Sequence, residues 1–232
     1  MGQIILEVAL GGLLALATTV WLEWLRLPKL RLEISVPDDQ DHSSHSRPAN
    51  YARFLLVSLV NKPLPLLLRW LQRNPALSAR ATITYHREHD DSPLFGRPNH
   101  ARWAGSDEPL AMIGRVWNMP ASLHDPNKLR RESVVDVYPG ESAPFAIAAR
   151  FDDDIDSYAW SNENYHSQPK WRAPHWRIKP GRYVVKVSIS SYGGRCSRSY
   201  RLIADGSIGA FRLEEMPTKR RRTRHLFRRK TT

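Results

Sequence analysis

The chain has 232 residues, 41% of them hydrophobic, a single cysteine and a formal net charge of +12. One cysteine excludes an internal disulfide, and removing an N-terminal apolar run leaves roughly two hundred residues, enough for one sizeable core. Eight of the twelve residues from Lys219 to Lys230 are basic, and subtracting them leaves +4 on the rest, so charge does not mark the body as a nucleic-acid surface.

The apolar run extends from Ile4 to Leu25, with no Lys or Arg before it and Arg26, Lys29 and Arg31 directly after it. Twenty-two helical residues rise about 33 Å, enough for a hydrocarbon core of roughly 30 Å. The uncharged part, Val8 to Leu22, is shorter, so Glu7 and Glu23 belong near the two interfaces. At about 100° per residue they fall about 160° apart around the axis and cannot share the polar face that a surface-lying helix needs. Trp21 and Trp24 fit an interfacial aromatic belt. Ala15-Leu16-Ala17 could mimic a signal-peptide cleavage site, but the positive start of such a peptide is missing. The reading is a transmembrane anchor over residues 1–30, N-terminus out. The positive-inside rule places everything after Arg26 at the cytoplasmic face of the inner membrane. Gly11 and Ala15 form a small-xxx-small pair of the kind that lets two helices approach.

Residues 31–216 read as one β domain. Arg31–Val36 alternates and predicts a strand; polar Asp38–Asn50 predicts a loop; Ala52–Asn61 predicts a strongly apolar strand. Leu64–Arg73 is too leucine-rich for a strand and reads as a short helix closed by Asn74-Pro75. It would serve as a lid on the sheet or, less favoured, as a partner-binding or membrane-skimming element. Ala79–His86 is a strand. Residues 87–132, punctuated by five prolines, hold short strands around Ala101–Trp103 and Ile113–Trp117. Strands resume at Ser133–Tyr138 and Ala143–Phe151, and after an irregular stretch at Arg182–Ser190, Ser199–Ile203 and Ala210–Leu213. Residues 217–232 form a basic, disordered tail.

Two turns sharpen this picture. Tyr138-Pro139-Gly140-Glu141 links two strands, and Pro180-Gly181-Arg182-Tyr183 opens the strongest one. There the tyrosine can bridge back to the turn backbone as in a tyrosine corner. With these motifs the chain resembles prokaryotic immunoglobulin-like or fibronectin-type-III-like domains, well over residues 130–214 and loosely over residues 31–86. It lacks the paired cysteines of antibody domains. The layout is similar to that of prokaryotic single-pass membrane proteins in which one N-terminal helix precedes such a sandwich. That resemblance implies a mainly β fold, an antiparallel immunoglobulin-like sandwich with a membrane anchor, and no activity.

Chemistry is sparsely signalled. Asp152, Asp153, Asp154 and Asp156 invite calcium but lack the ligand spacing of an EF-hand loop. His42 and His45, and His86 and His89 followed by Asp90 and Asp91, are three apart, a spacing that converges on a metal only in a helix. Cys196 follows a Gly-Gly turn, and no Gly-x-Ser-x-Gly elbow or phosphate loop occurs. Asp205-Gly206-Ser207-Ile208-Gly209 reads as a hairpin turn. No catalytic, cofactor or metal residue is expected. Trp160, Tyr165, Trp171 and Trp176, interleaved with Lys170, Arg172 and Arg177, form a candidate partner or ligand surface, weighed against the favoured reading that they cover one end of the core.

The tail residues Lys219, Arg220, Arg221, Arg222, Arg224, Arg228, Arg229 and Lys230, with Leu226 and Phe227 among them, suit an anionic membrane surface first and nucleic acid second. The expected role is a non-enzymatic scaffold that presents a sandwich at the inner membrane face to a protein partner. The alternatives are a ligand-sensing or enzymatic domain using residues 152–176, and nucleic-acid tethering by the tail.

Overall fold

Side-chain alternation builds the strands. In β12 (Arg182–Tyr192), Tyr183, Val185, Val187 and Ile189 are buried while their neighbours face outward, as the sequence pattern predicts. The computed structural model describes the backbone of residues 2–42, 50–68, 70–106, 110–116, 119–124, 133–167 and 171–217. Within these it omits the side chains of residues 2–6, 8, 41, 42, 50, 110–116 and 119–124.

A helix, α1 (Gly2–Arg26), precedes two antiparallel sheets. The first orders β1 (Leu30–Ile34), β3 (Asn50–Asn61), β9 (Ser142–Phe151), β10 (Ser157–Ala159) and β11 (Arg177–Ile178), with β2 (Asp38–His42) also on β3. The second orders β14 (Arg212–Glu215), β13 (Gly194–Ile203), β12, β4 (Ala76–Arg87) and β5 (Asn99–His100), with β8 (Val135–Val137) also on β4. β6 (Leu110–Val116) and β7 (Met119–His124) pair only with each other among the described residues. The sheets face one another across a core in which Val57, Leu59, Phe145 and Ile147 meet Ile83, Val185, Val187, Tyr200 and Leu202. The protein is therefore mainly β, a two-sheet antiparallel sandwich.

The first sheet is buried on both faces at β9 and the part of β3 beside it. The apolar run Ala143–Ala149 lacks the polar alternate positions of a half-solvated strand, and Ala52–Leu59 carries only Arg53 and Ser58 among apolar residues. An extra residue in β9 at Ile147 turns Ile147 and Ala148 both into the main core. Phe54, Ala146, Ala149 and Phe151 point the other way. They build a second apolar cluster under Trp160, Trp171 and the short helix α2 (Asn162–Tyr165).

The turns behave as their chemistry dictates. Gly140 has φ +89° between Pro139 and the Glu141 amide, which donates to the Tyr138 carbonyl at 3.0 Å. The Tyr183 hydroxyl donates to the Lys179 carbonyl at 2.9 Å, the expected tyrosine corner.

Three expectations need correction. Asp38–His42 is not loop but strand, paired with Asn50–Phe54. An edge strand needs an apolar face on neither side when one ladder and cross-strand charges hold it, and Arg53 grips Asp39 at 2.7 and 2.8 Å. Leu64–Arg73 is not a helix. Pro65 holds Leu64 extended, and among the described residues of the segment the helical structure is a 3₁₀ turn at Leu66–Leu68. Nor is it a lid, because Leu66 and Leu67 are 81% and 92% exposed. The short α-helix lies instead at α2. The strand expected over Ala101–Trp103 is reduced to β5 and a single bridge from Trp103 to Phe145.

Candidate functional site

The two features that point outward from the fold are α1 and the end of the sandwich it joins. From Ala9 to Trp21 every described residue of α1 is exposed; the large apolar side chains (Leu10, Leu13, Leu14, Leu16, Val20 and Trp21) share one side of its axis, and Gly11, Gly12, Ala15, Thr18 and Thr19 occupy the other, with no charged residue among them. The Thr18 and Thr19 hydroxyls donate to the carbonyls of Leu14 and Ala15 at 2.8 and 2.9 Å, so both polar groups are satisfied within the helix. Among the described residues no helix is long and apolar enough to cross a membrane. Ile4, Ile5, Leu6 and Val8, which the apolar run includes, lie outside the described side chains.

The helix is fastened at its C-terminus. Orphan carbonyls there need donors, and the β3–β4 connection supplies them. The Asn74 amide reaches the Arg26 carbonyl at 2.7 Å, and the Arg73 guanidinium reaches the Leu27 carbonyl at 2.6 Å. Pro28 then packs on the β12–β13 turn, where a Cβ added at Gly193 would lie 3.2 Å from the proline Cδ. Asn61, fully buried, donates to the carbonyls of Asn74 and Val137 at 3.1 Å and ties this end together.

The aromatic candidates are brought inside. Trp160, Trp171 and Trp176 are 6%, 7% and 3% exposed. Trp160 meets Phe54 edge-on at 4.8 Å and Trp171 at 5.4 Å, and Tyr165 stacks on Trp171 at 5.8 Å. Arg102 lies over Tyr165 at 4.1 Å and Arg172 over Phe151 at 4.3 Å. Trp176 belongs to the main core instead, with its indole N–H on Glu163 at 2.9 Å and its ring edge-on to Phe95 at 5.0 Å. The candidate set therefore divides between two apolar clusters. Lys170 lies outside the described residues.

The acidic loop is engaged in pairs. Asp153 accepts from Arg172 at 2.5 Å, Asp154 accepts from the Tyr158 hydroxyl at 2.7 Å, and Asp156 is paired with Arg177. Desolvation raises the Tyr158 phenol well above its ordinary range, and Asp154 adds to the rise. His86 bonds the Asp91 carbonyl at 3.0 Å and the Thr84 hydroxyl at 3.1 Å, while His89 stands beside Asp90 at 3.3 Å. Among the described residues no group of three or more His, Cys, Asp or Glu is placed to hold a metal ion. The side chains of His42 and His45 lie outside them. Burial pushes the Cys196 thiol up to about 11, which keeps it protonated and unreactive near neutral pH. Glu163 is drawn two ways: desolvation raises its carboxyl, but bonds from Trp176, His175 and Arg97 outweigh that and hold it low.

The basic tail, Lys219 to Lys230, lies outside the described residues. Comparison of the chain with protein-family models, with curated proteins and with solved structures finds no match. What sequence reasoning placed wrongly is the exposed Leu66-Leu67 pair. Its signal was Pro63 and Pro65, which hold Lys62 and Leu64 extended and, with Asn74-Pro75 beyond, leave a helix fewer than ten residues.

Proposed function

We propose that this chain is a single-pass membrane protein that holds an immunoglobulin-like sandwich at the cytoplasmic face of the inner membrane for a protein partner, without chemistry of its own. The observation that carries the proposal is α1: a helix with no charged residue from Val8 to Leu22, exposed throughout Ala9–Trp21, and bonded to the domain, among the described residues, through its C-terminal end. Such a helix is stable when something apolar surrounds it. The complete run Ile4–Leu25 has the length of a hydrocarbon core. Arg26, Lys29 and Arg31 at its C-terminal flank set the orientation.

The immunoglobulin-like assignment is supported by strand pairing. With β1, β3 and β9 in the roles of A, B and E, and β4, β12 and β13 in those of C, F and G, the neighbours agree with that fold. The tyrosine corner then stands at the start of F, where such domains carry it. β10, β11 and β14 are additions. The interaction role is supported by the candidate ligand residues themselves: the indoles are committed to packing and the acidic loop to Arg172, Arg177 and Tyr158.

The test is a pair of reporters fused after Thr232, one active only in the cytoplasm and one only outside it, combined with carbonate extraction of the membranes. Cytoplasmic signal in carbonate-resistant membranes is the expected result. Signal outside overturns the orientation, and extraction into the supernatant overturns the anchor.

A further inference from the structure

Apart from α1, five exposed large apolar side chains lie on turns at the end of the sandwich where the helix leaves it, whereas Val36 and Ile155 are exposed singly elsewhere. Leu66, Leu67 and Trp70, on the β3–β4 connection, are 81%, 92% and 74% exposed. Tyr192, at the β12–β13 turn, is 75% exposed, and Tyr138, at the β8–β9 turn, 52%. The 3₁₀ turn Leu66–Leu68 buries none of its residues. An apolar patch of this kind on a surface marks an interaction site.

The connection is also clamped to the helix exit from both sides. Before the leucines, the Lys62 amide donates to the Lys29 carbonyl at 3.0 Å. After them, the Asn74 amide donates to the Arg26 carbonyl at 2.7 Å and Arg73 to Leu27 at 2.6 Å. Leu67 is five residues from Lys62, and five residues span at most about 17 Å. The leucines therefore stay within that distance of the chain that leaves the last turn of α1. Arg26, Lys29, Lys62 and Arg73 stand at the clamps themselves.

We propose that the β3–β4 connection is a membrane-dipping loop: Leu66, Leu67 and Trp70 insert into the headgroup and acyl boundary of the bilayer that α1 spans, with the surrounding cations on anionic headgroups. The occupant is lipid, because the clamps hold the apolar side chains where the bilayer around α1 begins, a zone about 5–10 Å deep for interfacial side chains. Trp70, Tyr138 and Tyr192 are the residue types that favour that depth. The proposal rests on the anchored reading and deepens it. A helix alone lets the domain swing, whereas a second contact beside it fixes its tilt. It then presents the far end of the sandwich, with the β9–β10 loop, to the cytoplasm.

The test uses the full chain with Cys196→Ser and Leu67→Cys, labelled with an environment-sensitive nitrobenzoxadiazole dye, in nanodiscs of phosphatidylethanolamine and phosphatidylglycerol. Val36→Cys, at a position 85% exposed on the edge of the first sheet, is the control. The expected result is blue-shifted emission from the Leu67 label, quenched by lipid carrying a shallow doxyl group and shielded from aqueous iodide. The Val36 label shows the opposite. A Leu67 label that iodide quenches as strongly as the Val36 label, in a chain that resists carbonate extraction, overturns the loop and leaves the anchor standing. A chain that carbonate extracts from cell membranes overturns both.

Discussion

At the scale of single residues the sandwich is held by a few buried polar bonds whose partners were visible beforehand only as turn chemistry. Tyr183 is the clearest. Its ring packs over Gly181, where an added Cβ would sit 3.4 Å from the phenol oxygen, and its hydroxyl closes on the Lys179 carbonyl. Desolvation raises this phenol, so the neutral, donating form persists through the physiological range. Tyr183→Phe keeps the ring and removes the bond, leaving a carbonyl short of its donor. The expected cost is about 1 kcal/mol, read as a lower urea midpoint with unchanged slope for the detergent-solubilised chain. A midpoint equal to wild type would show that the corner is geometry without energy. Pro180-Gly181-Arg182-Tyr183 carries this feature in local sequence, and so it was legible. Asn61 was not: its partners, Asn74 and Val137, lie 13 and 76 residues away, and no local pattern signals them.

At the scale of elements, legibility followed how many faces each strand buries. β12 has one buried face and alternates, so its inward residues could be named. The described side chains of β2, Asp38–Gln40, bury neither face, so the segment looked like loop. Its attachment depends on Asp39, whose carboxyl is held below its ordinary range first by the hydrogen bond from Arg53. A depressed folded pKa gives stability that is present above the unfolded value and is lost as the pH falls through the folded one. Wild type is therefore expected to lose more stability than Asp39→Asn between about pH 5 and pH 3. The difference is small, because the pair is partly solvated. Equal losses in parallel urea titrations would remove Asp39 from the account of β2. β3 and β9 bury both faces, and this is why the aromatic stretch after β10 could be read as either ligand surface or core. The outer faces of β3 and β9 leave Phe54, Ala146, Ala149 and Phe151 in need of cover, and Trp160 and Trp171 supply it. Trp160→Ala is expected to cost about 3–5 kcal/mol in thermal or urea unfolding, the value for a buried ring. A ligand-facing indole would instead leave stability near wild type.

At the scale of the whole molecule, chain direction gives the basic tail a destination. β12 runs toward the end where α1 joins, β13 turns back at Gly193 and β14 turns again, so β14 heads toward the anchor. Its last residue, Glu215, pairs with Tyr200, six positions from the Gly194 turn. Met216 and Pro217 line a groove with Leu30, Arg31 and Leu32 of β1, the first strand after the anchor. The tail therefore starts at the end of the sandwich that α1 joins, and fifteen further residues reach at most about 50 Å. On the proposed topology, eight cations on so short a tether would meet an anionic leaflet at high effective concentration, each worth about 1 kcal/mol near that surface. Screening sets the test: the Debye length falls from about 10 Å at 0.1 M salt to about 3 Å at 1 M. In nanodiscs containing phosphatidylglycerol, trypsin is expected to cleave the tail slowly at low salt and quickly at high salt. In nanodiscs of neutral phosphatidylcholine cleavage is fast at both. Rates independent of lipid charge would leave the tail free for another polyanion, and protection by added RNA over neutral lipid would identify nucleic acid as its target.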